Sequence, residues 1–64
     1  MKFREVRKIL IENGWKHVRT KGSHFQFKKE GINFLATVPN HGGRDLSIGV
    51  IKNIERGTGL SLRK

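Results

Sequence analysis

The chain has 64 residues, 34% hydrophobic and 30% charged, enough apolar material for one small domain over residues 1–64 with a marginal core. It contains no cysteine, which excludes a disulfide scaffold and a thiolate zinc site, and no apolar run near the ~20 residues that span a bilayer. Fourteen Lys and Arg against five Asp and Glu leave a net charge of +9, of which +7 falls in residues 1–29, a field that attracts polyanions.

The first segment, KFREVRKILIEN, repeats apolar residues at helical spacing through Phe3, Val6 and Leu10, with Ile9 beside them. It predicts an amphipathic helix over residues 2–13. Gly14 stands where a C-terminal capping glycine belongs, and Trp15 is placed to fold back onto the last turn. Ile11 lies off the main stripe, either facing a partner or exposed alone.

After Gly14 the period changes to two. The runs Lys16–Lys21 and His24–Lys28 flank Gly22-Ser23, a type II′ hairpin signal. With those two residues as the loop, Lys21 opposes His24, Thr20 Phe25, Arg19 Gln26, Val18 Phe27 and His17 Lys28. One face then carries Val18, Thr20, Phe25 and Phe27. The other carries His17, Arg19, Lys21, His24, Gln26 and Lys28.

Glu30-Gly31 reads as a second two-residue loop, pairing Phe27 with Phe34, Phe25 with Ala36 and His24 with Thr37. Ile32, Phe34, Ala36 and Val38 join the apolar face, and Leu35 falls on the open one. Pro39 ends the third strand, because it has no N–H for a ladder. Asn40–Gly43 is a loop, and Gly42-Gly43-Arg44 reads as a flexible connection rather than an anion cradle.

Ile48, Val50, Ile51 and Ile54 return to helical spacing, with Ser47 as N-cap and Gly57 or Gly59 as terminator. Leu60 and Leu62 are placed to pack back, and Arg63-Lys64 to fray. The expected fold is α+β, in the order α-β-β-β-α. Its three-stranded antiparallel sheet has both helices on the apolar face and leaves a basic face open.

His24 is the sharpest chemical signal. It falls on the open face beside a tight turn, among cations, and an imidazole titrates near pH ~6.5. Such a group can take a ribose 2′-OH proton while Arg19, Lys21 and Lys28 hold phosphate, or it can contact phosphate without chemistry. His41 reads as a second proton donor or RNA ligand, or as a loop residue bonded to backbone. His17 reads as a surface residue at the far end of the basic face. The three histidines and single Asp show no ligand spacing on a shared helix, so no metal site is expected. Trp15, Phe25, Phe27 and Phe34 read as core rather than as base-stacking platforms.

Together, Gly14-Trp15, Arg19, Lys21-Gly22-Ser23-His24, Val38-Pro39-Asn40-His41 and the closing Gly49…Ile54 helix resemble the HicA toxins, small mRNA interferases of toxin–antitoxin modules. The resemblance runs from about Lys2 to Ser61. It implies a double-stranded-RNA-binding-domain-like fold and metal-independent cleavage of mRNA that inhibits translation and growth, with no cofactor. His24 is implied as the catalytic histidine; the reading of the residues themselves adds Arg19, Lys21, Ser23 and Lys28 as RNA-binding residues and His41 as an auxiliary candidate. The resemblance also implies a HicB-like antitoxin partner in a hetero-oligomer. A cytoplasmic location without membrane association is expected, since the start MKFREVRK lacks the apolar stretch of a signal peptide. Gly49-Val50 departs from the Gly-Thr frequent in the family, so Ser47 is left to cap the last helix. A non-catalytic RNA-binding module on the same fold is the alternative. A purely protein-binding adaptor with a basic face is a third reading.

Overall fold

In the computed structural model the elements follow the order α1 (Phe3–Glu12), β1 (Lys16–Lys21), β2 (His24–Lys28), β3 (Ala36–Pro39) and α2 (Ile48–Thr58). The structure describes residues 1–63; Lys64, expected to fray, lies outside them. The strands form one antiparallel sheet in the order β1-β2-β3, and the whole is an α+β fold of the double-stranded-RNA-binding-domain type.

Helix α1 starts where Lys2 donates its backbone N–H to the Glu5 carboxylate at 2.7 Å, satisfying one free donor of the first turn. Val6 and Leu10 are fully buried. The Trp15 N–H returns to the Leu10 carbonyl at 2.9 Å, which folds the indole under the helix end, where Phe34 meets it edge-on. Helix α2 is capped by the Ser47 hydroxyl, which accepts from the Val50 N–H at 3.2 Å, so Ser47 does the capping expected of it. The helix ends at Gly59, whose φ of 76° lets its N–H reach the Glu55 carbonyl.

Gly57 has a different task. The Phe34 ring lies directly over it, in space that a Cβ would fill. Arg63 does not fray: its guanidinium pairs with Glu55 at 3.0 Å, and the same carboxylate accepts the Leu62 N–H at 2.9 Å. Leu62 is thereby held in the core.

Both helices lie over β3, and α1 reaches β2 through Phe3 on Phe25, centroids 4.8 Å apart. Phe27, Ala36 and Val38 are completely buried beneath them. The cover stops short of β1, whose six residues are all exposed.

Two expectations of register are corrected. The first hairpin pairs Lys21 with His24, Thr20 with Phe25 and Arg19 with Gln26 as expected, but a bulge between His17 and Arg19 then shifts it to His17–Phe27 and Lys16–Lys28. The extra residue reverses the alternation below Arg19. His17 therefore leaves the basic face for the helix side, its ring 5.1 Å from Phe25 and 5.6 Å from Phe27, with Nε2 hydrogen-bonded to the Thr20 hydroxyl at 2.6 Å. Val18, expected on the apolar face, is turned out and 53% exposed.

The second hairpin pairs Phe27 with Ala36, Phe25 with Val38 and His24 with Pro39, two residues away from the expected register. Glu30 and Gly31 do occupy a turn, closed by the Ile32 N–H to the Lys29 carbonyl at 3.1 Å. Gly31, the second central residue, has φ 84° while Glu30 has negative φ, which is type II geometry. Type II turns splay the strands that follow. The segment Ile32–Leu35 accordingly leaves the ladder before β3 begins, and Ile32, expected on the apolar face, is left 40% exposed beside Val18.

Candidate functional site

The tight turn at residues 22–23 sets the position of His24. Gly22 has φ 60° and Ser23 does not have positive φ, the pattern of a type II′ turn, whose twist matches the flanking strands. His24 follows it as the first residue of β2, opposite Lys21 on one side and Pro39 on the other, and its side chain is exposed.

Pro39 cannot donate to the ladder, yet pairing continues one residue further. The Asn40 N–H donates to the Ser23 carbonyl at 2.7 Å. That bond carries the chain onward beside the turn and delivers His41 to His24. Their rings stand edge to face with centroids 6.3 Å apart. In the expected register His24 lay opposite Thr37, two residues further from His41. The actual register is what brings the two imidazoles together.

The loop bearing His41 is tied down at its far end. The Lys2 ammonium donates to the Gly43 carbonyl at 2.6 Å and lies 3.4 Å from the Asp45 carboxylate. The Leu46 N–H donates to the Met1 carbonyl at 2.8 Å. The loop thus crosses from the sheet to the start of α1 with both ends held.

Arg19 and Lys28 are exposed along the same open face, below Lys21 and His24. None of Arg19, Lys21 and Lys28 is paired with a carboxylate among the described residues. Ser23 is half-buried and contributes its carbonyl to Asn40. The bulge adds Lys16 to this face by placing it opposite Lys28, a position the simple alternation did not reveal.

The five acidic residues all lie outside the strands: Glu5 and Glu12 on α1, Glu30 in a turn, Asp45 in a loop and Glu55 on α2. The open face therefore presents cations and imidazoles with no carboxylate among its strand residues. Such a surface has the chemistry to hold phosphate and to pass protons at one end. Among the described residues no group of three or more His, Asp or Glu side chains is placed to hold a metal ion. Among the same residues no helix is long and apolar enough to cross a membrane.

A family model described as the HicA toxin of bacterial toxin–antitoxin systems matches residues 3–60. No curated protein matches the sequence. The matched span takes in α1, the whole sheet, both histidines of the open face and α2 with its cap, so the chain belongs to the HicA toxin family.

Proposed function

We propose that this toxin is a metal-independent endoribonuclease that cleaves mRNA on the open face of its sheet, and that a HicB-type antitoxin silences it by covering that face. The observation that carries the reading is the pair of edge-to-face imidazoles, His24 and His41, at one end of a surface whose cations have no carboxylate partner among the described residues.

In this reading RNA lies along β1 and β2, its phosphates held by Arg19, Lys21 and Lys28 and by the polar Gly22-Ser23 turn. One imidazole takes the proton of a ribose 2′-OH. The 2′-oxygen attacks the adjacent phosphorus, and the P–O5′ bond breaks. The leaving 5′-oxygen takes a proton from the other imidazole, leaving a 2′,3′-cyclic phosphate and a 5′-OH. The cations stabilise the charge that builds on the phosphorane oxygens. His24 is the primary catalytic group and His41 its auxiliary.

The test is cleavage of a synthetic RNA by purified toxin. His24→Ala is expected to lower the rate by about 10²–10⁴-fold, the contribution of one positioned acid or base, with the fold intact. His41→Ala is expected to lower it less, and excess EDTA not at all. A folded His24→Ala protein that cleaves at the normal rate would refute the assignment. RNA binding with no cleavage by the unmodified protein would instead favour the non-catalytic RNA-binding module.

A further inference from the structure

The bulge in β1 does more than displace His17. It exposes Val18 at the end of the open face remote from His24. Val18 shares one surface hollow with Ile32 and a second with Leu35, and Lys28 borders both. These three aliphatic side chains are 53%, 40% and 43% exposed. Lys16 and Lys29 line the first hollow, together with Glu30, and Arg19 lines the second, which has no acidic residue. None of these cations, nor Lys28, has a carboxylate partner among the described residues.

His24 and Lys28 are the two ends of β2. At about 3.3 Å per residue the patch sits roughly 13 Å along the strand from the imidazoles.

We propose that this aliphatic patch is the anchoring site for the antitoxin, taking an acidic segment that inserts one or two aliphatic side chains between Val18, Ile32 and Leu35 while its carboxylates meet Lys16, Arg19 and Lys28. The proposal rests on the open face being the functional surface. The chemistry favours a peptide over RNA. Unpaired nucleobases are held by stacking on aromatic rings, and the exposed groups here are branched aliphatics. Phe34 borders the second hollow, but its ring is occupied by Trp15 and by the Gly57 backbone. Cations around an apolar hollow complement carboxylates around an apolar side chain. The bulge also breaks the regular edge of β1, so a partner docks on the face rather than by adding a strand.

The division of labour is specific. The lysines and arginine speed the encounter and make its rate salt-sensitive, whereas the aliphatic contacts set how slowly the complex dissociates.

The experiment uses full-length toxin carrying Val18→Ser and Leu35→Ser, with the HicB-type antitoxin of the same toxin–antitoxin pair as the probe. Both positions are exposed, so the thermal unfolding midpoint should hold. Each substitution is expected to weaken antitoxin binding by about tenfold or more, mainly through faster dissociation. Cleavage by the free variant should stay within twofold of the unmodified toxin. A His24→Ala toxin should bind antitoxin normally, which separates failure of the anchor from failure of the catalytic reading. Unchanged antitoxin dissociation in the double variant would overturn the proposal. So would a loss of RNA affinity without loss of antitoxin affinity, measured in a His24→Ala background, because that result assigns the patch to RNA.

Discussion

The two edge strands of this sheet have opposite characters. β3 is four residues long, lies beneath both helices, and buries Ala36 and Val38 completely. β1 is six residues long, has no residue buried, and carries Lys16, Arg19 and Lys21. One edge holds the molecule together while the other presents charge. Under the proposed function, the contrast separates stability from activity in a chain too small to do both everywhere. Substitutions of the β1 cations should be read in RNA and partner assays, and those of the buried β3 residues in melting curves.

The sharpest way to break that separation is one substitution made on each strand. Val38→Asp places an unpaired carboxylate where exposure is zero and is expected to cost about 4 kcal/mol or more, enough to unfold a domain of this size. Val18→Asp puts the same group into solvent and is expected to stay within about 0.5 kcal/mol. Circular dichroism melts of the two proteins decide it, and comparable destabilisation would erase the distinction between the strands.

Next in size is Gly57→Ala. The new methyl would enter the space of the Phe34 ring, and overpacking of this kind costs about 1–3 kcal/mol. The same melts measure it. A neutral result would mean that Phe34 and the segment before β3 shift freely, contrary to the packing of that ring on Trp15.

A smaller effect sharpens the functional side. Arg19→Ala and Lys21→Ala should each weaken RNA binding and lower the slope of log affinity against log salt by about 0.7, the value for one phosphate contact on a single strand. The melting midpoint should not move. A salt slope equal to that of the unmodified protein would remove the residue concerned from the RNA path.

The smallest expected effect lies at the C-terminal segment. The N–H of Leu62, helped by the Arg63 backbone and guanidinium, holds the Glu55 carboxyl below the ordinary glutamate range. A carboxylate with a depressed pKa stabilises the fold above its unfolded value, and that contribution fades as pH falls through the folded one. The amides of Leu62 and Arg63 should therefore lose exchange protection on acidification below about pH 4.3, the ordinary glutamate value, before the sheet does. Glu55→Gln should show weaker protection at neutral pH and little further change in acid. Simultaneous loss throughout the molecule would show that the segment is not a separate unit.

Much of this architecture was legible because its signals are local. The Gly22-Ser23 turn, the Ser47 cap and the apolar stripe of α1 each lie within a few residues of sequence, and each stands as expected. The stripe of α2 buries Ile51 and Ile54 but leaves its first member, Ile48, 54% exposed. What was not legible depends on counting across strands. Nothing in KHVRTK marks a bulge, yet one inserted residue exchanges the faces of His17 and Val18. The β2–β3 register was misjudged by two residues, an error that a period of two cannot reveal, because every side chain that stays in the ladder keeps its face. That hidden shift is what decides whether His41 stands beside His24. Sequence pattern could name both histidines but could not say that they meet.

The hydrogen bond from Asn40 to Ser23 has a consequence for folding. It joins residues 17 positions apart and forms only when β3 has docked. The β1–β2 hairpin, with His24 already in place, involves nearby residues and can form early, since short loops close fastest. The second imidazole arrives with the longer-range contact, which carries the larger loop-closure cost. A chain still being synthesised would therefore display the cationic hairpin before it possesses the histidine pair. The Asn40 amide, protected from exchange only in the docked state, gives a clock for that last step that requires no substrate.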